Sequence, residues 1–294
     1  MNNYSLLQFG SSLREDFDSY SDKDLLIVTD TFDQLNSLKE DYESNGFSVS
    51  SYTYEKMQLL CDRESLFIEH LRRESRIIFD CGDKIKTLIQ KTPIAIPSEE
   101  RILEAANYFH FLKTIPNTAV GFTWFCECFY VGLRNYLINL SAKKGLYTFS
   151  YPKLINELRD SYALTTGEVQ ILNELRVAKK NYRSNPQRHI IENNFLPQIS
   201  EIANKIGIQF QFSAQPIRQF QADAQSNLTS SNLHKYQKLR LVEILYHLRG
   251  DYIPLIEKAI LNPQLYASWC SKSETVQVLL HLINESEVEV TSKT

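Results

Sequence analysis

The sequence predicts an α+β protein, in which a small N-terminal unit with a mixed sheet is followed by an all-α helical bundle and a C-terminal helical extension. The first unit is predicted from short, strand-like apolar runs that are separated by helical patterns up to Pro93. The bundle is predicted because helical patterns follow one another from Glu99 onward. A chain of 294 residues has room for about two or three such units, each with its own core.

The elements of the first unit follow from where its apolar runs end. One run ends at Gly10, and the segment before Gly46 carries apolar residues at helical spacing. The predicted order is strand, strand, helix, strand, helix, strand. The predicted strands are 4–9, 24–28, 47–54 and 76–80, and the predicted helices are 30–44 and 65–73.

The second unit begins near Ser98, where a serine followed by acidic residues favours a helix start. Its predicted helices are 99–113, 118–144, 151–161, 166–184 and 190–206, and those beyond it are 234–249, 252–261 and 273–284. The stretch between these two groups is rich in Gln, Ser, Ala and Asn, which predicts a surface linker. We therefore divide the chain into domains at 1–95 and 96–212, a linker at 213–230 and an extension at 231–294.

The composition is typical of a globular protein in a reducing compartment. Hydrophobic residues make up 43% of the chain and charged residues 23%, which excludes the disordered and fibrous classes. The 32 Lys and Arg balance 35 Asp and Glu, so a dedicated nucleic-acid-binding surface is not expected. The five cysteines form no CxxC pair, which predicts free thiols rather than structural zinc. The sequence carries neither a secretory leader pattern nor an apolar stretch of about 18 residues, so we expect a cytoplasmic protein with no membrane partner.

One group of residues has the types and the spacing expected of a metal- and phosphate-binding site. Gly10 and Ser11 are followed, after ten residues, by Asp22 and Asp24 at the start of an apolar run. Two aspartates that are two residues apart on a strand point to the same face, where their carboxylates can converge on one or two Mg²⁺ ions. A Gly-Ser turn before a helix start offers backbone N–H groups and a hydroxyl to a triphosphate. The alternative interpretation is a solvated junction between a loop and a strand, because Asp is common in turns.

Residues 8–28 resemble the DNA polymerase beta-like nucleotidyltransferase superfamily, whose signature is Gly-Ser, about ten residues, and Asp-x-Asp flanked by hydrophobic residues. The resemblance implies that Asp22 and Asp24 hold Mg²⁺ and that Gly10 and Ser11 bind the triphosphate of an NTP co-substrate. Asp22 and Asp24 would then be catalytic residues.

Other positions around this motif agree with the family in part. Arg14, three residues after the serine, and Ser21 fit the family pattern, whereas Lys23 stands where an apolar residue is usual and Glu15 where a glycine is common. The resemblance implies that Arg14 assists with phosphate charge or with structure. The alternative for Arg14 is a surface ion pair with Asp16 or Asp18.

The family usually carries a third carboxylate on the strand after the intervening helix. The equivalent strand here, 47–52, has no acidic residue. Glu55 and Asp80 are the candidates to replace it, and we take Asp80 as the third catalytic candidate. The alternative is that each is an ordinary residue at the end of a strand.

The helical segment resembles the helical domains that accompany such nucleotidyltransferases, either the kanamycin-nucleotidyltransferase type or the HEPN type. The resemblance rests on the long aromatic helix, the connection after it and residues 172–182. HEPN ribonucleases need an Arg followed four to six residues later by His, which is missing after Arg176; Arg183 has His189 six residues on, but Pro186 intervenes. The basic residues of 176–188 line a cleft for phosphates or RNA, or else form a solvated helix face.

Two hypotheses follow. In the first, the chain is an enzyme that transfers a nucleoside monophosphate from an NTP to a hydroxyl of a protein, an RNA end or a small molecule. A macromolecular acceptor is favoured, as in toxin-antitoxin or phage-defence systems; a polycationic small molecule would need an acidic cleft, with Glu127 or Glu174 as contributors. In the second, the site is degenerate and the chain is a nucleotide-binding, regulatory or assembly subunit. A partner protein or a second copy of the chain is a further predicted binding partner.

Overall fold

The structure is a computed structural model that describes residues 3–18, 21–31, 35–184, 195–229 and 233–249. Within these residues the chain is α+β, with a small mixed sheet of four strands and many helices, which confirms the predicted class. The predicted helices 252–261 and 273–284 lie outside the described residues, as does most of the predicted extension 231–294.

The elements lie close to their predicted positions, with several additions. The strands are β1 Tyr4–Phe9, β2 Asp24–Thr29, β3 Ser48–Thr53, β4 Ser75–Asp80, β5 Thr114–Pro116 and β6 Ser213–Gln215. The α-helices are α1 Leu35–Ser44, α2 Tyr54–Asp62, α3 Leu66–Glu74, α4 Lys84–Lys91, α5 Glu99–Asn107, α6 Ala119–Lys143, α7 Tyr151–Tyr162, α8 Thr166–Ser184, α9 Phe195–Lys205, α10 Ile217–Thr229 and α11 Lys235–Arg249. Three short 3₁₀ turns are Gly10–Leu13, Cys81–Asp83 and Tyr108–Leu112.

The chain forms two compact units that alternate along the sequence. Unit 1 comprises residues 1–105 and 133–165, and unit 2 comprises residues 106–132 and 166–294. Helix α6 therefore contributes its first half to unit 2 and its second half to unit 1. The linear division at residues 95, 212 and 230 remains a prediction.

The sheet of unit 1 has the strand order β3-β2-β1-β4. β1 pairs antiparallel with both β2 and β4, whereas β2 and β3 are parallel. In this register Phe9 lies opposite both Asp24 and Ser75, and Ser5 lies opposite both Val28 and Asp80. The starts of β2 and β4 therefore meet at one end of the sheet, and Asp80 lies at the other end.

Both faces of this sheet are covered by helices. Alternate side chains of a strand point to opposite faces. Leu7, Leu26 and Val28 pack in one cluster with buried residues of α2, α3 and α4. Leu6, Leu25 and Ile27 form the other cluster, against partly buried residues of α1. The apolar run of β2 is continuous because both of its faces are buried.

The aromatic residues of α6 belong to the core. Trp124, Phe125 and Phe129 are fully buried. In unit 2, Phe125 and Phe129 both contact the ring of Phe212. These rings therefore stabilise the helical unit and are not available to stack on a base.

Two predicted segments differ from the structure. The predicted helix 99–113 is α-helical only to Asn107 and continues as a 3₁₀ turn. The segment 213–230, predicted as a linker, contains β6 and α10. Helix α10 buries Phe220, Ala224 and Leu228, which are four residues apart and so share one face of the helix. This narrow apolar stripe is easily missed among Gln, Ser and Asn.

The described residues bear on the predictions about membrane-spanning helices and about cysteines. None of their helices combines the length and the apolar character that a membrane-crossing helix needs. The described cysteines, Cys61, Cys81, Cys126 and Cys128, are free thiols.

Candidate functional site

Gly10 forms the centre of the candidate site, directly after β1. Its φ of +77° lies in the left-handed region, which glycine adopts without a steric penalty. A Cβ at this position would lie 3.2 Å from Oδ2 of Asp24 and 3.8 Å from Cε1 of His70. The Asp24 carboxylate and the His70 imidazole therefore both lie beside this turn. A Cβ at Gly10 would crowd Asp24 and would be in van der Waals contact with His70.

A hydrogen bond joins the two halves of the predicted motif. Ser11 Oγ donates to the backbone oxygen of Asp22, with a donor–acceptor distance of 2.9 Å. Asp24 is the first residue of β2, and Phe9, immediately before Gly10, lies opposite it in the sheet. The structure thus brings Gly10, Ser11, Asp22 and Asp24 together at one end of the sheet. Asp22 is exposed there and Asp24 is half-buried.

Arg14 lies between two carboxylates. Its Nε donates to Oδ1 of Asp16 at 2.8 Å and its Nη1 donates to Oε2 of Glu74 at 2.7 Å. Burial on its own would lower the pKa of Arg14, but the hydrogen bonds to both carboxylates outweigh it and the pKa is raised. The ion pair with Asp16, which the sequence suggested as an alternative, is present, and Glu74 is a second partner that the sequence analysis did not identify.

Glu74 and His70 face each other one turn apart on α3. His70 Nε2 lies 3.2 Å from Oε2 of Glu74, and the His70 ring stacks on Phe149 with centroids 4.3 Å apart. Burial lowers the pKa of His70. Burial would raise the pKa of Glu74, but hydrogen bonds from His70 and Arg14 reverse the effect and the pKa is lowered. At neutral pH a neutral His70 therefore donates from Nε2 to an ionised Glu74.

Asp16 has a second donor on the helical side of unit 1. Ser150, the N-cap residue of α7, donates from Oγ to Oδ2 of Asp16 and accepts from the backbone N–H of Lys153. Burial would raise the pKa of Asp16, yet the hydrogen bonds from Ser150 and Arg14 lower it. A polar network therefore runs from the Gly10 turn through Arg14 to α3 and α7, all within unit 1.

The structure corrects the placement of Asp80. Asp80 lies opposite Ser5, four residues along β1 from Phe9, which separates it from Asp24 by roughly 13 Å along the strands. Its Oδ1 accepts from Ser5 Oγ at 2.5 Å and from the N–H of Ile85 at 3.1 Å, and its Oδ2 accepts from the N–H of Lys86 at 3.0 Å. Asp80 therefore caps the start of α4, and the structure does not bring it to Asp22 and Asp24.

Glu55, the other candidate, also lies at the far end of the sheet. It follows Thr53, which is opposite Thr29 at the end of β2, and its side chain is exposed. At the near end of β3, Ser48 lies opposite Asp24. The strand that carries the third acid in the resembling family therefore presents a serine here.

The described residues contain no cluster of three or more His, Cys, Asp or Glu side chains suited to a metal ion. The donor set of Asp22 and Asp24 nevertheless fits Mg²⁺, because this ion is commonly held by one or two carboxylates and takes its other ligands from phosphates and water.

The sequence could have indicated His70 and Glu74. They are four residues apart, a spacing that puts their side chains on one face of a helix, although the predicted helix 65–73 ends one residue before Glu74. Without the register of β4, however, nothing in the sequence shows that this face meets Gly10.

Unit 2 contains a buried charged cluster. Arg240 pairs with Glu127 and, at 2.7 Å, with Glu243, whose Oε1 accepts from the Tyr182 hydroxyl at 2.6 Å. Glu127 is only 1% exposed. Because this carboxylate is buried and paired with Arg240, Glu127 does not line an open cleft for a polycationic acceptor. Glu174, the other residue considered for that cleft, is exposed.

The basic stretch is described only in part. Lys179 lies over the ring of Tyr130, with Nζ 5.4 Å from the centroid, and Arg176 is half-buried on α8. Pro186 and His189 lie outside the described residues, so the Arg183–His189 pair, which the sequence analysis set aside because of Pro186, is not tested.

Comparison with known proteins identifies no relative. No protein-family model, no curated protein and no solved structure matches the chain.

Proposed function

We propose that the chain is a Mg²⁺-dependent nucleotidyltransferase, which transfers a nucleoside monophosphate from an NTP to a hydroxyl group. The observation that carries this proposal is the convergence of Gly10 and Asp24, since Oδ2 of Asp24 lies 3.2 Å from the position that a Cβ would take at Gly10. A positive-φ glycine turn at a carboxylate is where a triphosphate and its cation bind together.

The proposed roles follow from the chemistry of each group. Asp22 and Asp24 hold the cation, and the backbone of Gly10 and Ser11 orients the phosphates. Bound there, Mg²⁺ would neutralise phosphate charge and acidify the acceptor hydroxyl. The acceptor oxygen forms a bond to the α-phosphorus, the bond from that phosphorus to pyrophosphate breaks, and the hydroxyl proton leaves to solvent. The contribution of the chain is positioning and charge stabilisation.

The acceptor is proposed to be a macromolecule, either a protein or an RNA end, in a toxin-antitoxin or phage-defence setting. This choice rests on the size of the helical part, which exceeds what a small acceptor requires. The burial of Glu127 against Arg240 agrees with it, because that carboxylate is not available to a polycationic small molecule.

A second candidate is a nucleotide-binding subunit without transfer activity. This candidate is favoured by Ser48 opposite Asp24 and by Asp80 and Glu55 at the far end of the sheet, because neither of the two predicted replacements for the third acid lies beside the pair. Such a subunit would act through its helical surfaces on a partner protein or on a second copy of itself.

Transfer is tested by incubating the purified chain with each α-³²P-labelled NTP, Mg²⁺ and cell lysate. The proposal predicts label on a protein or RNA band, and none with the Asp22→Asn/Asp24→Asn variant. The Asp80→Asn variant is the matched control and should label like wild type, because Asp80 only caps α4. If Mg-NTP binds but no NTP gives label, the second candidate is correct.

A further inference from the structure

We propose that Glu74 and Asp16 hold Arg14 as a latch, and that Arg14 leaves Glu74 to bind the phosphates when a nucleotide occupies the site. This inference rests on the proposed function and adds a mode of regulation to the same site. It assigns a role to Glu74 and His70, which the motif of Gly10 to Asp24 does not include.

The position of Arg14 supports this inference. Arg14 closes the 3₁₀ turn that begins at Gly10, and its N–H donates to the backbone oxygen of Ser11 at 3.1 Å. A guanidinium attached to this turn is within a side chain's length of any phosphate that the turn binds. Arginine pairs with phosphate through parallel N–H donors as readily as with carboxylate. The same group is therefore suited to either partner.

Glu74 lies at the end of the sheet that carries the site. It immediately precedes Ser75, and Ser75 and Asp24 both lie opposite Phe9. Its Oε2 also contacts His70 Nε2, an atom 3.9 Å from the Cβ position at Gly10. An anion placed here repels a triphosphate unless Arg14 neutralises it, so Glu74 and a bound triphosphate compete for one guanidinium.

Both carboxylates keep a donor when Arg14 leaves. Oε2 of Glu74 still accepts from His70, and Oδ2 of Asp16 still accepts from Ser150. A partly buried carboxylate that lost its last donor would otherwise be destabilised. The second donors lower the free-energy cost of releasing Arg14. His70 acts as a positioning residue that keeps Glu74 in place in both states.

The latch is tested by measuring the affinity of the chain for inorganic triphosphate with Mg²⁺, a probe that avoids the choice of base. Glu74→Gln keeps the shape of the side chain and removes its charge, so it should tighten binding about three- to tenfold. Arg14→Ala should weaken binding. In the double variant Glu74→Gln should bring no gain, because the guanidinium that it frees is absent. Asp62→Asn, an exposed carboxylate at the end of α2, is the matched control and should bind like wild type.

The outcomes separate the latch from the proposed function. If wild type binds triphosphate and Glu74→Gln does not alter the affinity, the latch is wrong and the function stands. If Glu74→Gln increases triphosphate affinity equally with and without Arg14, the latch is also wrong. The increase would then come from the loss of a negative charge near the site and not from the release of Arg14. If wild type does not bind triphosphate at all, the proposed function is wrong.

A second measurement observes Arg14 directly in the wild-type protein. In wild-type protein with ¹⁵N-labelled arginine, the Nε–H resonance of Arg14, assigned with Arg14→Lys, should shift when triphosphate is added. An Arg14 resonance that stays unchanged at saturating triphosphate overturns the latch.

Discussion

At the residue scale, Gly10 is the position where backbone conformation and chemistry coincide. Two requirements act on it, a positive φ and the absence of a Cβ beside Asp24. Gly145 has the same φ of +77° but nothing within 4 Å of its Cβ position. Substitutions at the two glycines therefore distinguish the effect of an unfavourable φ, which both share, from the effect of a Cβ next to Asp24, which applies only to Gly10.

We predict that Gly10→Ala and Gly145→Ala both lower the free energy of unfolding by about 1–2 kcal/mol, because alanine is strained at this φ. Only Gly10→Ala should also weaken triphosphate binding, since its methyl group displaces Asp24. Thermal unfolding and a binding titration on both variants check this. Equal binding by the two variants would show that Gly10 is only a turn residue.

His70 predicts a pH dependence of stability. Its pKa is lowered in the folded chain by burial, with Arg134 and Arg14 acting in the same direction and Glu74 against it. Unfolded histidine has a pKa of about 6.5. Between that value and the lower folded pKa, the unfolded state binds more protons, so stability falls as the pH falls.

The melting temperature of wild type should therefore decrease from pH 7.5 toward pH 5, and that of His70→Gln should decrease less. The slope is obtained from thermal unfolding at several pH values, and His110→Gln controls for the other described histidine with a lowered pKa. Parallel slopes for wild type and His70→Gln would contradict the assignment.

At the scale of elements, Asp80 connects the sheet to α4. Its carboxylate accepts from two backbone N–H groups at the start of that helix and from Ser5. Loss of such a cap costs about 1–2 kcal/mol. Asp80→Ala should lower the free energy of unfolding by that amount and leave triphosphate binding unchanged, as measured by denaturant unfolding and titration. A loss of binding without a loss of stability would return Asp80 to the site.

The strands of unit 1 were predictable to within one or two residues. Strands β1, β2 and β4 are short apolar runs bounded by glycine or polar residues, and β3 carries β-branched and aromatic residues. Helices α2 and α4 were not predicted, since each has nine residues or fewer and buries only two side chains. Helix α10 was not predicted because it has only one buried apolar residue in each turn, namely Phe220, Ala224 and Leu228. The motif from Gly10 to Asp24 was predictable from residue types at fixed spacing.

The third acid could not be placed from the sequence, because its position depends on strand register. Asp80 is the last residue of β4 and Glu74, the last residue of α3, immediately precedes that strand, and only the pairing of β4 with β1 decides which end meets Asp24. For the same reason the sequence assigned no chemistry to His70.

At the scale of the whole molecule, the two units are interleaved along the chain. Unit 1 takes residues 133–165 from the helical part, and that segment supplies Phe149 against His70 and Ser150 against Asp16. A boundary inside the continuous helix α6 leaves no mark in composition, so this interleaving could not be predicted from the sequence.

A fragment of residues 1–95 should therefore be less stable than the same residues in the full chain. It lacks Phe149, which stacks on His70, and Ser150, which donates to Asp16, so one ring is exposed and one donor is lost. Hydrogen exchange of α3 amides, compared between the fragment and the full chain, measures this. Equal protection in both would show that residues 1–95 fold as an independent domain.

The central claim is that Mg²⁺ and an NTP bind at Asp22, Asp24 and the Gly10 turn. Calorimetric titration of the full chain with each NTP in the presence of Mg²⁺ tests it most directly. We predict binding of at least one NTP to wild type and to Asp80→Asn with the same affinity, and a loss of about tenfold or more in Asp22→Asn/Asp24→Asn. Absence of NTP binding to wild type, or equal affinity in the doubly substituted variant, would contradict the account.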